Sequence, residues 1–310
     1  MIPFIIRRIL QGLPVILGVM TISFLLMNVA PGDPVRAMVG EYYDDATLES
    51  LRHELGLDKS LGKQYLNFIG NLFTGKLGNS FMTKRPVFND LIEKIPHTLQ
   101  LALAAMFIAV PLGLMLGIIA AVNRGKPLDR MLIGLSLGGV SAPVFWIALL
   151  LILIVGVQLR WLPPTGFGGF KFLILPAIAL GTRSMAMLAR TSRAYMLEVM
   201  NEDFMRTALA KGLSRWQVIF RHGLRNVFIP LITIIAADFG SYLSGAVLTE
   251  SIFGWPGVGR FALTAIIKRD FPVIQGTVLF MALIFVVINI LVDICYAWAD
   301  PRVRTAILDE

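Results

Sequence analysis

The sequence has 310 residues, of which 56% are hydrophobic and 15% are charged, and its formal net charge is +8. A soluble domain carries about 25% charged residues, so this composition excludes an ordinary soluble protein and indicates an integral membrane protein. The basic residues flank apolar runs, which fits the enrichment of Lys and Arg on the cytoplasmic side of a membrane better than binding to nucleic acid.

Six apolar segments are long enough to span a bilayer, because about 20 residues cross its hydrocarbon core as a helix. In chain order they are 9–30, 98–122, 131–159, 172 to about 190, 227–249 and 273–299. The first is too long for a signal-peptide core and lacks a clear cleavage site, so we interpret it as a retained helix. The fourth is uncharged only as far as Thr182 and must therefore continue past Arg183.

The chain is thus predicted to be all-α and to have three parts. Residues 1–30 form an N-terminal transmembrane helix, 31–97 an extracytoplasmic insert, and 98–310 a core of five transmembrane helices with a cytoplasmic loop at about 191–226. Lys and Arg are concentrated in both tails and in the loops on the side of that cytoplasmic loop. The positive-inside rule therefore places both termini in the cytoplasm.

The insert contains a short helix, predicted at 45–55, followed by an apolar stripe at helical spacing. The stripe consists of Leu61, Tyr65, Leu66, Ile69, Leu72 and Phe73. It either packs against the protein's own outer surface or forms a docking surface for an extracytoplasmic partner.

The sequence predicts no catalytic site, no metal site and no cofactor bound by this chain. Residues 70–77 read GNLFTGKL and match a phosphate-loop pattern, but Leu77 stands where Ser or Thr must ligate magnesium. This segment is also predicted to lie outside, away from cytoplasmic ATP. The three histidines are dispersed, and neither GxSxG nor HExxH occurs.

A short polar helix is predicted at 201–212, which reads NEDFMRTALAKG. Asn201 is the expected N-cap, and Asp203 in the first turn suits the positive end of the helix dipole. Gly212 is expected to end the helix in a left-handed conformation. Ser214–Gln217 then fits a capping box that begins a second helix.

A polar helix in a cytoplasmic loop is either a docking site for another protein or an ordinary solvated connector. The small side chains of Ala208 and Ala210, beside Phe204, are expected to let a partner approach closely. The candidate docking residues are Asn201, Glu202, Asp203, Phe204, Arg206, Thr207, Ala208, Ala210, Lys211 and Gly212.

The stretch DFMRTALAKGLS, followed by HGLRN and Pro230, resembles the cytoplasmic loop of binding-protein-dependent ABC transporter permeases. The EAAxxxG motif of that loop matches Arg206, Thr207, Ala208 and Gly212, so its Glu and first Ala are replaced here. The other matching segments are 8–34, ending in APGDP, 75–86 (GKLGNSFMTKRP), 96–121, and 250–276 with ESIFGWPGVG. Together these segments resemble the B-type permease subunit of dipeptide, oligopeptide, glutathione or nickel importers.

The resemblance implies a type I ABC importer permease fold with six transmembrane helices, in the inner membrane of a bacterium or archaeon. The implied partners, besides the lipid bilayer, are a homologous second permease, two cytoplasmic ATPase subunits that bind ATP and magnesium, and an extracytoplasmic substrate-binding protein. The helix at 201–212 would be the coupling helix, with Asp203, Arg206 and Gly212 contacting the ATPase or shaping the contact. Its cargo would be a di- or oligopeptide, or alternatively a nickel chelate, glutathione or an oligosaccharide.

Two charged residues are predicted inside the membrane, Asp238 in the middle of the fifth span and Arg183 in the fourth. A charge there costs about 2.5–3.5 kcal/mol on insertion scales, so each should face a partner or a water-filled path. They form either a structural pair or part of the translocation path, where Asp238 would meet a peptide amine or another cationic group. Asp293, near the end of the sixth span, is expected at the membrane interface.

The loop between the fifth and sixth spans contains Trp255, Pro256 and Gly257, which predict a tight turn beside Glu250. This turn is either a re-entrant structural element that closes the outer face or an outer gate.

The sequence leaves open two alternatives that are not ABC importer permeases. A proton-driven secondary transporter would use Asp238 as its proton carrier. An intramembrane enzyme would need a catalytic constellation, and the sequence shows none.

Overall fold

The computed structural model describes residues 2–29, 35, 45–54, 57–244 and 246–299. Within these ranges the regular elements are helices, and the bridge between extended residues joins Asn79 to Pro86. The prediction of an all-α chain is therefore confirmed. The side chain of Asp293 lies outside the described part, so its interfacial position stays a prediction.

The α-helices in chain order are α1 Ile2–Val29, α2 Asp45–Glu54, α3 Leu61–Phe73, α4 Val87–Val122, α5 Pro127–Ser141, α6 Val144–Leu151, α7 Lys171–Val199, α8 Asp203–Ala210, α9 Arg215–Val218, α10 Leu224–Leu243, α11 Val247–Phe253, α12 Val258–Lys268 and α13 Phe271–Ala299. Two π-helical segments continue them: Ile152–Gln158 follows α6, and Ile219–Gly223 joins α9 to α10.

Helices α1, α4, α7 and α13 are each long and apolar enough to cross a membrane. Two further pairs of helices, each bent at a short break, are long and apolar enough to cross a membrane only when both helices of the pair are counted together. They are α5 with α6, and the helix from Arg215 to Phe228 with the one from Pro230 to Leu243. The expected number of six spans is reached if each bent pair crosses once, so the number six stays a prediction.

The predicted span 131–159 is not one straight helix, because α5 and α6 meet at an angle of 104°. The break falls at Ala142 and Pro143. Proline lacks a backbone N–H and disfavours helical backbone in the residue before it. Ala142 is accordingly extended, with φ −74° and ψ 129°.

Two other boundaries differ from the predicted spans. Helix α4 begins at Val87 rather than at residue 98 and has 36 residues. It is therefore roughly 54 Å long, which exceeds the ~30 Å hydrocarbon core and extends into the predicted insert. Helix α10 ends at Leu243, and α11 is a separate helix, so Asp238 lies near the end of its helix rather than mid-span.

The contact between α4 and α7 is the most extensive in the fold and depends on small residues. A Cβ atom on Gly113 of α4 would lie 2.8 Å from Leu188 Cβ of α7, and one on Gly181 of α7 would lie 2.9 Å from the carbonyl oxygen of Ala105. Gly113 and Gly117 form a GxxxG pair, a pattern that lets membrane helices pack backbone to backbone.

Part of the insert packs on the first helix. The hydroxyl groups of Thr21 and Tyr65 are 2.7 Å apart, and the Phe24 ring contacts the rings of Tyr65 and Phe68. Intramolecular packing thus explains the inner side of the apolar stripe. Leu61 and Leu66 of the same stripe remain 58% and 71% exposed.

Candidate functional site

Helix α8, which is predicted to be cytoplasmic, begins one residue later than the expected cap. Its N-cap is Glu202, with φ −70° and ψ 149°, so the prediction of Asn201 as N-cap is wrong. Asn201 Nδ2 instead donates a 2.9 Å hydrogen bond to the carbonyl oxygen of Leu197. The physical reason is that α7 extends to Val199 and leaves carbonyl groups at its end that need donors.

The other end of α8 follows the prediction. Gly212 has φ +85°, a left-handed conformation that costs residues with a Cβ about 1–2 kcal/mol. Ser214 Oγ accepts a 3.3 Å hydrogen bond from the Gln217 N–H, and Gln217 Oε1 accepts one of 2.9 Å from the Ser214 N–H. The predicted capping box is therefore confirmed, and this turn sets the direction from α8 into α9.

One face of α8 is buried against its own chain. Met205 and Ala208 are 4% and 6% exposed and cluster with Val218 of α9. The partly buried residues packed on this cluster are Val199, Met200 and Leu213. The expectation that Ala208 lets a partner approach closely is wrong, because its methyl group faces α9 and the end of α7.

The opposite face of α8 is open. The exposed candidate residues are Asn201, Glu202, Asp203, Phe204, Arg206, Thr207, Ala210, Lys211 and Gly212. Arg206 Nη1 and Asp203 Oδ1 lie 3.7 Å apart on side chains that are 74% and 97% exposed, so solvent screens their attraction and both charges stay accessible. Phe204 and Leu209 expose 40% and 48% of their surface beside these charges. Sequence reasoning missed Leu209, because its spacing of four residues from the buried Met205 predicts the buried face, whereas the structure exposes it.

The outer turn is built around the fully buried carboxylate of Glu250. Its Oε1 accepts a 2.8 Å hydrogen bond from Thr98 Oγ1 of α4, and its Oε2 accepts one of 2.9 Å from the Arg260 N–H. Arg260 lies in the first turn of α12, where backbone N–H groups lack helical partners. Glu250 therefore caps α12 from a neighbouring helix. Gly257 closes over this carboxylate, since a Cβ there would lie 2.2 Å from Glu250 Oε1.

Trp255 secures the same turn and is fully buried. Its Nε1 donates a 2.9 Å hydrogen bond to the carbonyl oxygen of His97, and its ring meets Phe167 edge-on with centroids 5.0 Å apart. Pro256 is half-buried between Trp255 and Gly257. The structure thus brings together all four residues of the predicted outer turn and adds Thr98, whose motif PHTLQ was the sequence signal that could have found it.

A second buried carboxylate, Asp270, links the outer loop to the junction of α12 and α13. Its Oδ2 accepts a 2.5 Å hydrogen bond from Ser80 Oγ, and its Oδ1 accepts one of 3.0 Å from the Phe81 N–H. Sequence reasoning missed this contact because the partners are 190 residues apart. The family motifs around Ser80 and Asp270 were the available signal.

A third carboxylate, Asp129, joins the first turn of α5 to α7. It accepts two hydrogen bonds from Arg193, Nε to Oδ1 at 2.7 Å and Nη2 to Oδ2 at 2.8 Å. Its Oδ2 also accepts a 2.9 Å bond from the Gly125 N–H. Sequence reasoning missed this ion pair, which holds the helix that leads into α8.

Asp238 and Arg183 line one open cavity of about 250 Å³, formed by residues of α6, α7, α10 and α11. Within the described residues Asp238 and Arg183 form no ion pair with each other, so the predicted structural pair is not formed in this structure. Tyr242 Oη donates a 3.0 Å hydrogen bond to the carbonyl oxygen of Leu180 and is hydrogen-bonded to Ser184 Oγ. These bonds hold α7 and α10 together at the cavity wall.

Two family models match the chain. The model of the binding-protein-dependent transport system inner membrane component matches residues 113–305, and the model of the N-terminal part of such membrane components matches residues 1–102. The di/tripeptide transport system permease protein of Pseudomonas aeruginosa is 43% identical to this chain, and the alignment covers 98% of this chain and 99% of that protein. The glutathione transport system permease protein and the dipeptide transport system permease protein of Escherichia coli are 39% and 38% identical over the same shares.

Among solved structures, the inward-facing MetNI methionine ABC transporter resembles this chain with a TM-score of 0.53 and 19% identity. The match covers 69% of this chain and 95% of that one. At this identity the likeness shows the fold, and the fold is that of an importer permease.

Proposed function

The chain belongs to the family of binding-protein-dependent transport system inner membrane components, and on that premise we propose that it imports short peptides. It is a permease subunit of an ABC importer and a multi-pass protein of the inner membrane. The observation that supports a peptide cargo is that full-length relatives are named for di/tripeptides, dipeptides and glutathione. Glutathione is itself a tripeptide, so these names share one cargo chemistry. The matches support neither a proton-coupled transporter nor an intramembrane enzyme.

In the proposed importer this chain forms half of the translocation path, and a homologous second permease forms the other half. Two cytoplasmic ATPase subunits bind ATP and magnesium, and an extracytoplasmic binding protein delivers the peptide. The chain contributes no ATPase site of its own, and its termini lie in the cytoplasm with the ATPases.

The open face of α8 is the proposed contact with one ATPase. That face presents Phe204 and Leu209 together with the charges of Asp203 and Arg206, a mixture of apolar and charged groups suited to a protein interface. The buried face, through Met205 and Ala208, is packed on the end of α7 and on α9. A displacement of α8 by the ATPase therefore moves α7 directly and α10 through the π-helical segment.

The outer turn is the proposed gate on the extracytoplasmic side. Glu250 holds the N-terminus of α12 against α4, so α4, α11 and α12 move as one unit at this end. Rigid coupling of these helices favours a hinge outside the turn rather than within it.

ATP hydrolysis by the purified importer tests the proposed function. We would co-express the chain with its candidate ATPase, second-permease and binding-protein partners, purify it by a tag, and reconstitute the eluate in liposomes. We expect ATPase subunits to co-elute and a dipeptide-loaded binding protein to stimulate both ATP hydrolysis and dipeptide uptake. Replacement of 201–212 by a flexible linker of equal length should remove the ATPase subunits from the eluate. Uptake driven by a proton gradient in the absence of ATPase subunits would refute the proposal.

A further inference from the structure

The cavity between α7 and α10 contains two opposite charges that do not meet. Asp238 and Arg183 both line it, and the other lining residues are uncharged. Opposite charges attract strongly where the dielectric constant is low, so two of them in one intramembrane cavity normally gain by pairing. Without that pairing Asp238 has an unmet requirement for a partner, and Arg183 remains exposed beside it.

Asp238 shows this requirement directly. Its Oδ2 is buried and has no hydrogen-bond partner among the described residues. A buried carboxylate oxygen without a donor is costly, because it has lost the water that would otherwise bind it. Because Asp238 lines the cavity, a rotation of its carboxylate group would let a cationic or N–H group in the cavity supply the missing donor.

The rest of the wall is suited to a small polar molecule. Four residues with hydroxyl groups, Ser184, Ser241, Tyr242 and Thr249, also line the cavity, and Val144 and Leu180 supply apolar surface. The volume of about 250 Å³ leaves room for several water molecules or for one small polar solute. One carboxylate and one guanidinium give the cavity no net charge.

We propose that this cavity is a peptide-binding site on the translocation path. Asp238 binds the terminal ammonium group of a short zwitterionic peptide, and Arg183 binds its terminal carboxylate. This inference rests on the proposed function and assigns it a site. The guanidinium can bind a carboxylate with two parallel hydrogen bonds. A cavity with one acid and one base complements a neutral zwitterion better than a nickel cation, which requires several ligands.

The test is the number of peptides imported per ATP hydrolysed, measured in liposomes that contain the assembled importer and saturating, peptide-loaded binding protein. We expect Asp238→Asn and Arg183→Gln each to lower this ratio about tenfold, since each removes one charge-assisted contact. ATP hydrolysis should stay within about twofold of the wild type. Arg190→Gln is the matched control, because Arg190 is an exposed residue of the same helix that does not line the cavity.

The double variant Asp238→Asn/Arg183→Gln separates a ligand site from a structural pair. A ligand site loses both contacts, so the double variant should be about a hundredfold lower than the wild type. A structural pair suffers only when one charge is left alone, so recovery of the ratio in the double variant would overturn the inference. Unchanged ratios in the single variants would overturn it as well.

A second measurement on the wild-type importer avoids any dependence on folding of the variants. We would record the melting temperature of the detergent-solubilised importer, without binding protein, in the presence of alanyl-alanine or its N-acetylated amide. We expect only the peptide with both termini free to raise the melting temperature. Equal shifts, or no shift with either compound at millimolar concentration, would contradict the inference. Wild-type importer that hydrolyses ATP without importing peptide would instead refute the proposed cargo.

Discussion

Thr98 connects Glu250 to the beginning of α12, although the two side chains are 152 residues apart in the sequence. Its Oγ1 donates to Glu250 Oε1 at 2.8 Å and accepts from the Val258 N–H at the same distance. One hydroxyl group thus donates a hydrogen bond to a buried carboxylate and accepts one from the first N–H of α12. The outer turn depends on these two hydrogen bonds, because neither the Glu250 carboxylate nor the Val258 N–H has access to solvent.

We expect Thr98→Val to lower the free energy of unfolding by about 1–3 kcal/mol, because it leaves both the carboxylate and the Val258 N–H one bond short. Thermal melting of the purified importer would measure the loss. Thr264→Val is the matched control, since Thr264 is exposed on α12 and bonds only to the carbonyl oxygen of Arg260. Equal melting of Thr98→Val and wild type would show that these two hydrogen bonds contribute nothing to stability.

Gly257→Ala tests how closely the turn fits Glu250. The backbone of Gly257, with φ −87° and ψ −179°, is open to any residue, so the effect comes from the new methyl group alone. That methyl group would displace the carboxylate and should cost roughly 1–3 kcal/mol of stability. Gly169→Ala provides the comparison, because no atom lies within 4 Å of a Cβ at that position. Similar melting temperatures for the two variants would contradict the close packing.

Arg193→Lys tests the ion pair between α5 and α7. Lysine keeps the charge but cannot make two parallel hydrogen bonds to Asp129, so we expect a loss of roughly 1–3 kcal/mol for this partly buried pair. Arg190→Lys on the same helix should have no measurable effect. If chemical or thermal unfolding gave the same stability for both variants, the pair would matter no more than a surface salt bridge.

The two faces of α8 should respond differently to truncation. Met205→Ala removes a buried side chain and should destabilise the chain by about 2–5 kcal/mol. Leu209→Ala, on the open face, should leave melting of this chain unchanged while reducing co-elution of the ATPase subunits.

Melting and quantitative pull-down of the same two preparations would measure both effects. If Leu209→Ala retained the ATPase subunits in full, even in combination with Phe204→Ala and charge reversal at Asp203 and Arg206, the open face would not be the docking surface.

The all-α class, the apolar helices and the turn after α8 could be predicted because they depend on local rules. Apolar run length predicts α1, α4, α7 and α13, and side-chain chemistry predicts the capping box at Ser214 and the left-handed Gly212. The same rules misplaced the cap of α8, because Asn201 has two chemically acceptable partners. The competing acceptor is the carbonyl of Leu197, which is available only because α7 ends where it does.

By itself, then, the sequence determined that this chain is helical, that it lies in a membrane and that it carries a short polar helix between two apolar segments. Only the tertiary structure decided that Ala208 faces inward, that α5 and α6 meet at a sharp angle, and that Thr98 supports Glu250. The same holds for the open separation of Asp238 and Arg183 in one cavity. The reason is that propensity and periodicity act over a few residues, whereas these contacts depend on how distant helices pack against one another.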